Sequence, residues 1–370
     1  MGNKALFTNW FQERGNEMHL SMRIADQIRQ DGPICFRDFM EMCLYDAGSG
    51  YYTSGCNGIG IRGDFYTSPT LTPIFGVLIA KKLEKMWRKM GGGLFTVVEY
   101  GAGTGHLCGD ILAYLAQNKK MSGSLRYCII EKSPLMRNYA KRQLPAMVEW
   151  YNCISEIGEI NGCVLSNELI DNFAVHRVVM QGELMEVYID YQEGFTEVLR
   201  PAGPELKVYL DELGITLPMG YATEINLEAV TWIKAVAEAL KKGYVLTIDY
   251  GHKSNELYQM NRRQGTLLCY YRHSVNDSFY EHMGEQDMTS HVNFSALSHW
   301  GAINGLTEIS FTDQGSFLNS LGFREQLMEA LSGEENVILA AQKAARLSHT
   351  LLLDMGSRYK VLIQQKGMIL

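Results

Sequence analysis

Hydrophobic and polar positions change period several times along the chain. Over residues 17–31, Met18, Met22, Ile24, Ala25 and Ile28 recur at helical spacing, and Gly32-Pro33 stops the run. Residues 36–45 predict a second short helix with Phe39, Met40 and Leu44 on one face, and residues 73–90 a long amphipathic one. The middle of the chain alternates apolar runs with helical ones. Strands are predicted at 94–100, 125–131, 163–166 and 244–250, and helices at 107–118, 134–144 and 227–241. Strands joined by helical crossovers build a parallel sheet with right-handed connections, so the expected class is α/β, Rossmann-like, with a largely parallel sheet flanked by helices. Residues 361–364 supply a closing strand, and helical spacing returns from Phe294.

Two stretches break this rhythm. Residues 175–198 alternate with period two around Gln181-Gly182 and Glu193-Gly194, the pattern of a β-rich insertion. Residues 46–69 interleave Gly48, Gly50, Gly55, Gly58, Gly60 and Gly63 with tyrosines, which reads as a functional loop, ordered or mobile. The expected organisation is therefore an N-terminal helical and glycine-rich lid segment (1–90), a core split between 91–172 and 243–370, and an insertion with its helix (173–242). A homodimer through the insertion is compatible with this layout.

Composition narrows the partners. The 370 residues are 46% hydrophobic and 20% charged, enough for a large core, and the formal charge of −7 argues against a nucleic-acid binder and favours a cationic partner. Eight cysteines are scattered with no CxxC pair, the pattern of reduced buried thiols, so no metal site is expected. No run reaches the ~20 apolar residues that span a bilayer. Trp10, Glu13, Glu17 and Asp26 do not fit a basic, acid-poor presequence, and the expected location is the cytoplasm.

The strongest local signal is Val97-Val98-Glu99-Tyr100-Gly101-Ala102-Gly103-Thr104-Gly105-His106: an apolar strand, an acid, a G-x-G-x-G turn, then a helix. Glycines let the chain bend tightly and a ligand approach the backbone. The dinucleotide template G-x-G-x-x-G fails at His106, which disfavours a nicotinamide oxidoreductase. Glu99 before the turn points to a ligand with a cationic amine, and Glu131 at the tip of the next strand can accept from two ribose hydroxyls. A third cluster, Ser166-Asn167-Glu168-Leu169-Ile170-Asp171-Asn172, follows the 163–166 strand, where ligands of open α/β sheets bind. One helical turn would place Glu168 and Asp171 on the same side; an N-cap and a solvated helix start is the plainer alternative. His291, near the acids Glu285 and Asp287, could relay a proton or be structural.

Several ordered motifs resemble the MidA-type methyltransferases over roughly residues 18–362. They are Phe39-Met40-Glu41-Met42-Cys43-Leu44-Tyr45, Gly50-Tyr51-Tyr52, Gly63-Asp64-Phe65-Tyr66-Thr67-Ser68-Pro69, the glycine loop, Ser166-Asn167-Glu168-Leu169, Ile248-Asp249-Tyr250-Gly251, Gly284 to Val292, and Met355-Gly356 with Lys360-Val361-Leu362. Tyr100, Ala102 and the stretch Gly60-Ile61-Arg62-Gly63 depart from the usual family residues without removing a group the chemistry needs. The resemblance implies a class I methyltransferase fold, S-adenosyl-L-methionine as donor, and an arginine of a protein as acceptor, a respiratory-complex subunit being one such protein. On it, Glu168 becomes the carboxylate that grips the guanidinium, with Asp171, Asn167 and His291 in support. Glu99, Gly101, Gly103, Gly105, Glu131, Asp64, Tyr66 and Ser68 become donor contacts. Transfer to a small molecule and non-catalytic donor binding by an assembly factor are the competing functions.

Overall fold

The computed structural model describes residues 19–54 and 68–368. The first helical pattern folds as α1 (Leu20–Asp31), then strand β1 (Ile34–Cys35) and α2 (Phe36–Tyr45). Leu20, Ile24, Ala25 and Ile28 form the buried stripe of α1, and Gly32, at φ 85°, takes the chain out of the helix. Helix α3 (Pro73–Lys89) begins on Thr72, whose hydroxyl accepts the Ile74 N–H at 3.3 Å. There follow β2 (Phe95–Tyr100), α4 (His106–Leu115), β3 (Leu125–Ile130), α5 (Pro134–Gln143), β4 (Glu149–Tyr151) and β5 (Ile160–Asn167). An antiparallel unit comes next, with β6 (His176–Gln181), β7 (Glu183–Tyr191), β8 (Phe195–Pro201), α6 (Pro204–Glu212) and β9 (Ala222–Ile225). Helix α7 (Leu227–Ala239) returns the chain to β10 (Leu240–His252). Beyond it lie β11 (Leu268–Tyr271), β12 (Ser274–Asn276), β13 (Asp287–Thr289), β14 (Val292–Asn293), α8 (Phe294–Ile303), β15 (Thr307–Asp313), α9 (Gln314–Ser320), α10 (Phe323–Leu331), α11 (Val337–Ser348) and β16 (Tyr359–Lys366).

The main sheet runs β15-β16-β10-β5-β2-β3-β4, with β14 beside the end of β10. Strands β10, β5, β2, β3 and β4 are mutually parallel, while β16 is antiparallel to both its neighbours. One face of the sheet is covered by α3, α4 and α9, the other by α7 and α8. The chain passes from β2 outward to β3 and β4, then back to β5 on the other side of β2. That reversal opens a crevice beyond the carboxyl ends of β2 and β5, where α/β sheets hold ligands. A second sheet, β1-β7-β6-β9 with β8 on β7, packs against α1 and α2 over a third core that includes Ile24, Phe39, Val187 and Ile189.

The largely parallel α/β sheet is the one the periodicity predicts. Several elements are longer than their apolar cores: 163–166 extends to Ile160–Asn167 and 361–364 to Tyr359–Lys366, because ladder pairing recruits flanking polar residues. Strand β15 has no sequence prediction, since Thr307, Glu308 and Ile309 face solvent and hide its period. Strand β1, with two residues, is too short to have one.

Candidate active site

The crevice is a cavity of about 720 Å³. Its floor is the glycine loop, where Gly101, Gly103 and Gly105 have φ of 67°, 53° and 84°. Backbone of this hand is strained for any residue with a side chain. A Cβ on Gly101 would also lie 2.7 Å from Leu169 Cδ1, so this glycine keeps the two sides of the crevice close together. Gly103 lines the cavity, whereas Gly105 caps α4 and packs toward Ala140 and Leu144.

Glu99 and Glu131 both line the cavity. Glu99 is 2% exposed and accepts the Tyr127 hydroxyl at 2.6 Å; burial pushes its pKa up to about 7. Glu131 accepts the Gly103 N–H at 2.9 Å on Oε2 and the Ser133 N–H at 2.8 Å on Oε1. Burial raises its pKa and those amides oppose the rise. A carboxylate has about four lone-pair sites, so each oxygen keeps room for a hydroxyl. The roof is Tyr45 stacked on Tyr52, ring centroids 5.4 Å apart. It is tied to the same loop by Lys132 Nζ, 3.7 Å from the Tyr45 ring centre, and by the Ser133 hydroxyl donating to the Tyr52 carbonyl at 2.6 Å.

Sequence reasoning missed the far wall. Asn152, Cys153 and Ile154 follow β4, and Glu228, Thr231 and Trp232 come from α7. Polar residues directly after a short strand of the sheet were the available signal for the first group; α7 reads as an ordinary core helix. Among the described residues the Trp232 indole N–H and Asn167 Oδ1 are buried without a hydrogen-bond partner, and both residues line the cavity. Carboxylates above a glycine cradle, an apolar wall and polar groups awaiting partners fit a nucleoside carrying a cationic amino acid.

Across the cavity, Glu168 leaves β5 with φ 52°, a left-handed conformation rare for a side-chain-bearing residue. Its Oε1 accepts the Ser68 N–H at 3.2 Å and the Asn167 Nδ2 at 3.1 Å, and its Oε2 accepts the Tyr359 hydroxyl at 2.9 Å. Burial pushes its pKa up to about 7 against these donors. Glu168 and Asn167 line the cavity. Asp171 does not. The single turn at Ile170–Asn172 is a 3-10 turn that begins after Glu168, so the two acids do not share a helical face, and Asp171 turns inward to Asp249.

Ser68 is fully buried; its N–H serves Glu168, and its hydroxyl accepts from Gln314 Nε2 at 3.4 Å, away from the cavity lining. Asp64 and Tyr66 lie outside the described residues. His291 is not gathered with the acids. Its ring packs edge-on against Tyr250, centroids 4.3 Å apart, and beside His252. Burial, with His252 and Arg262 nearby, pushes its pKa down to about 3, which leaves the imidazole uncharged near neutral pH, away from the cavity lining. Tyr359, 191 positions from Glu168 in sequence, was not foreseen. Away from the crevice, Cys35, His176 and Glu186 bring ligand-type atoms within 4.8 Å of one another. There the imidazole is already bonded to Glu186 at 2.6 Å, and burial pushes the Cys35 thiol up to about 12.

Comparison with known proteins agrees with this geometry. The family model for S-adenosyl-L-methionine-dependent methyltransferases matches residues 78–312. The protein arginine methyltransferase NDUFAF7 homolog, mitochondrial, of Drosophila melanogaster is 27% identical, covering 95% of this chain and 85% of its own. Human protein arginine methyltransferase NDUFAF7, mitochondrial, is 26% identical over 81% of this chain and 73% of its own. A crystal structure from Burkholderia thailandensis bound to S-adenosyl-homocysteine superposes with TM-score 0.83 at 31% identity, covering 95% of this chain and 92% of that one. The relatives correct one expectation: those from fly, worm, mouse and human are all named mitochondrial, which overturns the cytoplasmic reading. That reading rested on the charges of the first residues, and these do not specify a compartment.

Proposed function

Because this chain belongs to the S-adenosyl-L-methionine-dependent methyltransferase family, we propose that it methylates an arginine side chain of a protein. The donor supplies a methyl group already made electrophilic by its sulfonium. What the chain must add is a place for each partner and a destination for one proton.

For the donor, Gly101 and Gly103 leave the backbone open to close approach, Glu131 offers lone pairs to the ribose hydroxyls, and Glu99 sets negative charge beneath the ammonium end. The roof of Tyr45 and Tyr52 excludes water. For the acceptor, the observation that carries the reading is Glu168: a carboxylate that lines the same cavity as Glu99 and Glu131 and is fixed by three donors. A guanidinium stays protonated, with a pKa above ~12, and Glu168 binds it by charge attraction and a charged hydrogen bond to the acceptor site left on Oε2, which leaves another nitrogen free to attack. As the new C–N bond forms, that nitrogen must release a proton. Glu168, with its pKa near 7, can take it. Asn167 orients the carboxylate. The names of the fly and human relatives support arginine as the acceptor.

The test is incubation with methyl-labelled donor and a lysate, followed by acid hydrolysis of labelled protein bands and identification of the amino acid. Label recovered as methylarginine is expected. Label on another residue, or only in the small-molecule fraction, overturns the assignment.

A further inference from the structure

Glu168 is a residue whose backbone should relax, yet the turn that carries it is pinned to the end of β10. The Glu168 N–H donates to the Ile248 carbonyl at 2.9 Å. The next two amides, Leu169 and Ile170, donate to Asp249 Oδ2 at 3.2 and 2.8 Å. Asp249 Oδ1 takes the Tyr250 N–H at 2.9 Å, and the residue is 0% exposed. We infer that Asp249 is a positioning residue holding Glu168 in its left-handed conformation, and that Asp171 serves it as a neutral, protonated partner rather than as a second carboxylate of the clamp. This rests on the reading of Glu168 as the acceptor clamp.

The proton follows from the donors. Left-handed backbone at a side-chain-bearing residue persists only where its surroundings over-determine it, and the bonds to Asp249 and Ile248 do so. Three amide donors converge on Asp249 and keep its charge there. Asp171 is buried beside it, 8% exposed, with its Oδ1 lacking a hydrogen-bond partner among the described residues, and two buried carboxylates side by side do not both ionise. The proton therefore resides on Asp171, which donates it to Asp249. The groups facing Asp171 reinforce this: Asp287 from β13 and Glu168 are acidic, and Tyr52, Tyr270 and Tyr359 bring hydroxyls. Asp171 is in this way a hydrogen-bond donor, a task an amide can perform.

Full-length Asp171→Asn, Asp171→Ala and Asp249→Asn separate the possibilities, with S-adenosyl-homocysteine affinity measured by calorimetry and kcat and KM with an arginine-bearing acceptor. Asp171→Asn should keep kcat within ~3-fold, because its Nδ2 replaces the lost hydroxyl donor, while Asp171→Ala loses ~30-fold. Asp249→Asn should lose ~100-fold in kcat with donor affinity and acceptor KM within ~3-fold, since only the reactive turn is displaced. Infrared spectroscopy of wild type at pH 8.5 should show a protonated-carboxyl band that Asp171→Asn removes. Asp171→Asn as inactive as the alanine variant, Asp249→Asn with wild-type kcat, or no such band would each overturn the inference. The band requires no acceptor, so it judges the proton pairing even if Glu168→Gln shows the clamp reading to be wrong.

Discussion

At the glycine-loop end of the cavity, Glu99 and Glu131 each answer to their own donors, a phenol for one and two backbone amides for the other. At the opposite end, Glu168, Asp171, Asp249 and Asp287 crowd together, and their mutual repulsion is part of what raises Asp171 and Glu168. The first arrangement fixes charge by local structure, which suits a ligand that is the same in every turnover. The second leaves a surplus of negative potential that an incoming cation relieves. Under the proposed function, a guanidinium is recognised by completing a charge balance, not merely by filling a space.

The division of labour can be broken most sharply at Glu168. Glu168→Gln should lower kcat by ~10³-fold, the scale of losing an acid–base group together with a charged clamp, and leave S-adenosyl-homocysteine affinity within ~3-fold. If calorimetry showed the affinity collapsing instead, Glu168 would belong to the donor end. Glu131→Ala probes the reverse: donor affinity should weaken by roughly 100-fold, as expected for lost hydrogen bonds to a charged group, with acceptor KM unchanged. An unaltered donor affinity would show that Glu131 only staples the loop.

The smallest effect concerns stability. Glu99 has a folded-state pKa of about 7, above its ordinary value of 4.5. Its stabilising contribution is therefore complete below that ordinary value and disappears as pH rises through about 7. The loss is on the order of 3 kcal/mol. Glu99→Gln stays neutral throughout, so the fall in Tm of the donor-free protein between pH 5 and pH 8 should shrink by a few degrees. An identical fall in the variant would mean that Glu99 ionises freely in the fold.

The two ends also differed in how far the residues alone revealed them. Glu99, the glycines and Glu131 belong to one strand–turn–helix–strand unit, 95–131, where spacing along the chain is nearly spacing in the fold. Asn167 and Glu168 were legible because they follow a strand of the same sheet. The rest of the acid end was not, because its contacts join residues 68, 168, 249 and 359, and nothing in local period marks Ser68 as an amide donor or Tyr359 as a phenol aimed at Glu168. Equal spacing of Glu168 and Asp171 predicted a shared face only if the turn were helical from Glu168 onward. The left-handed backbone at Glu168 cancelled that, and glutamate gives no warning of positive φ as glycine does. His291 misled for a related reason: nearness in sequence to Glu285 and Asp287 did not become nearness in space.

Strand β16 is slotted between β10 and β15, so the last strand of the sheet to be synthesised occupies an interior position. Until it is threaded, β10 and β15 have no common neighbour and Glu168 lacks its phenol. The surroundings of Glu168 are therefore complete only once this strand has paired, and a chain cut short before residue 359 would leave the edge of β10 open, β15 detached from the sheet and Glu168 without that donor. For this fold β16 is a keystone: the strand that joins β15 to the parallel strands also carries a group that fixes Glu168.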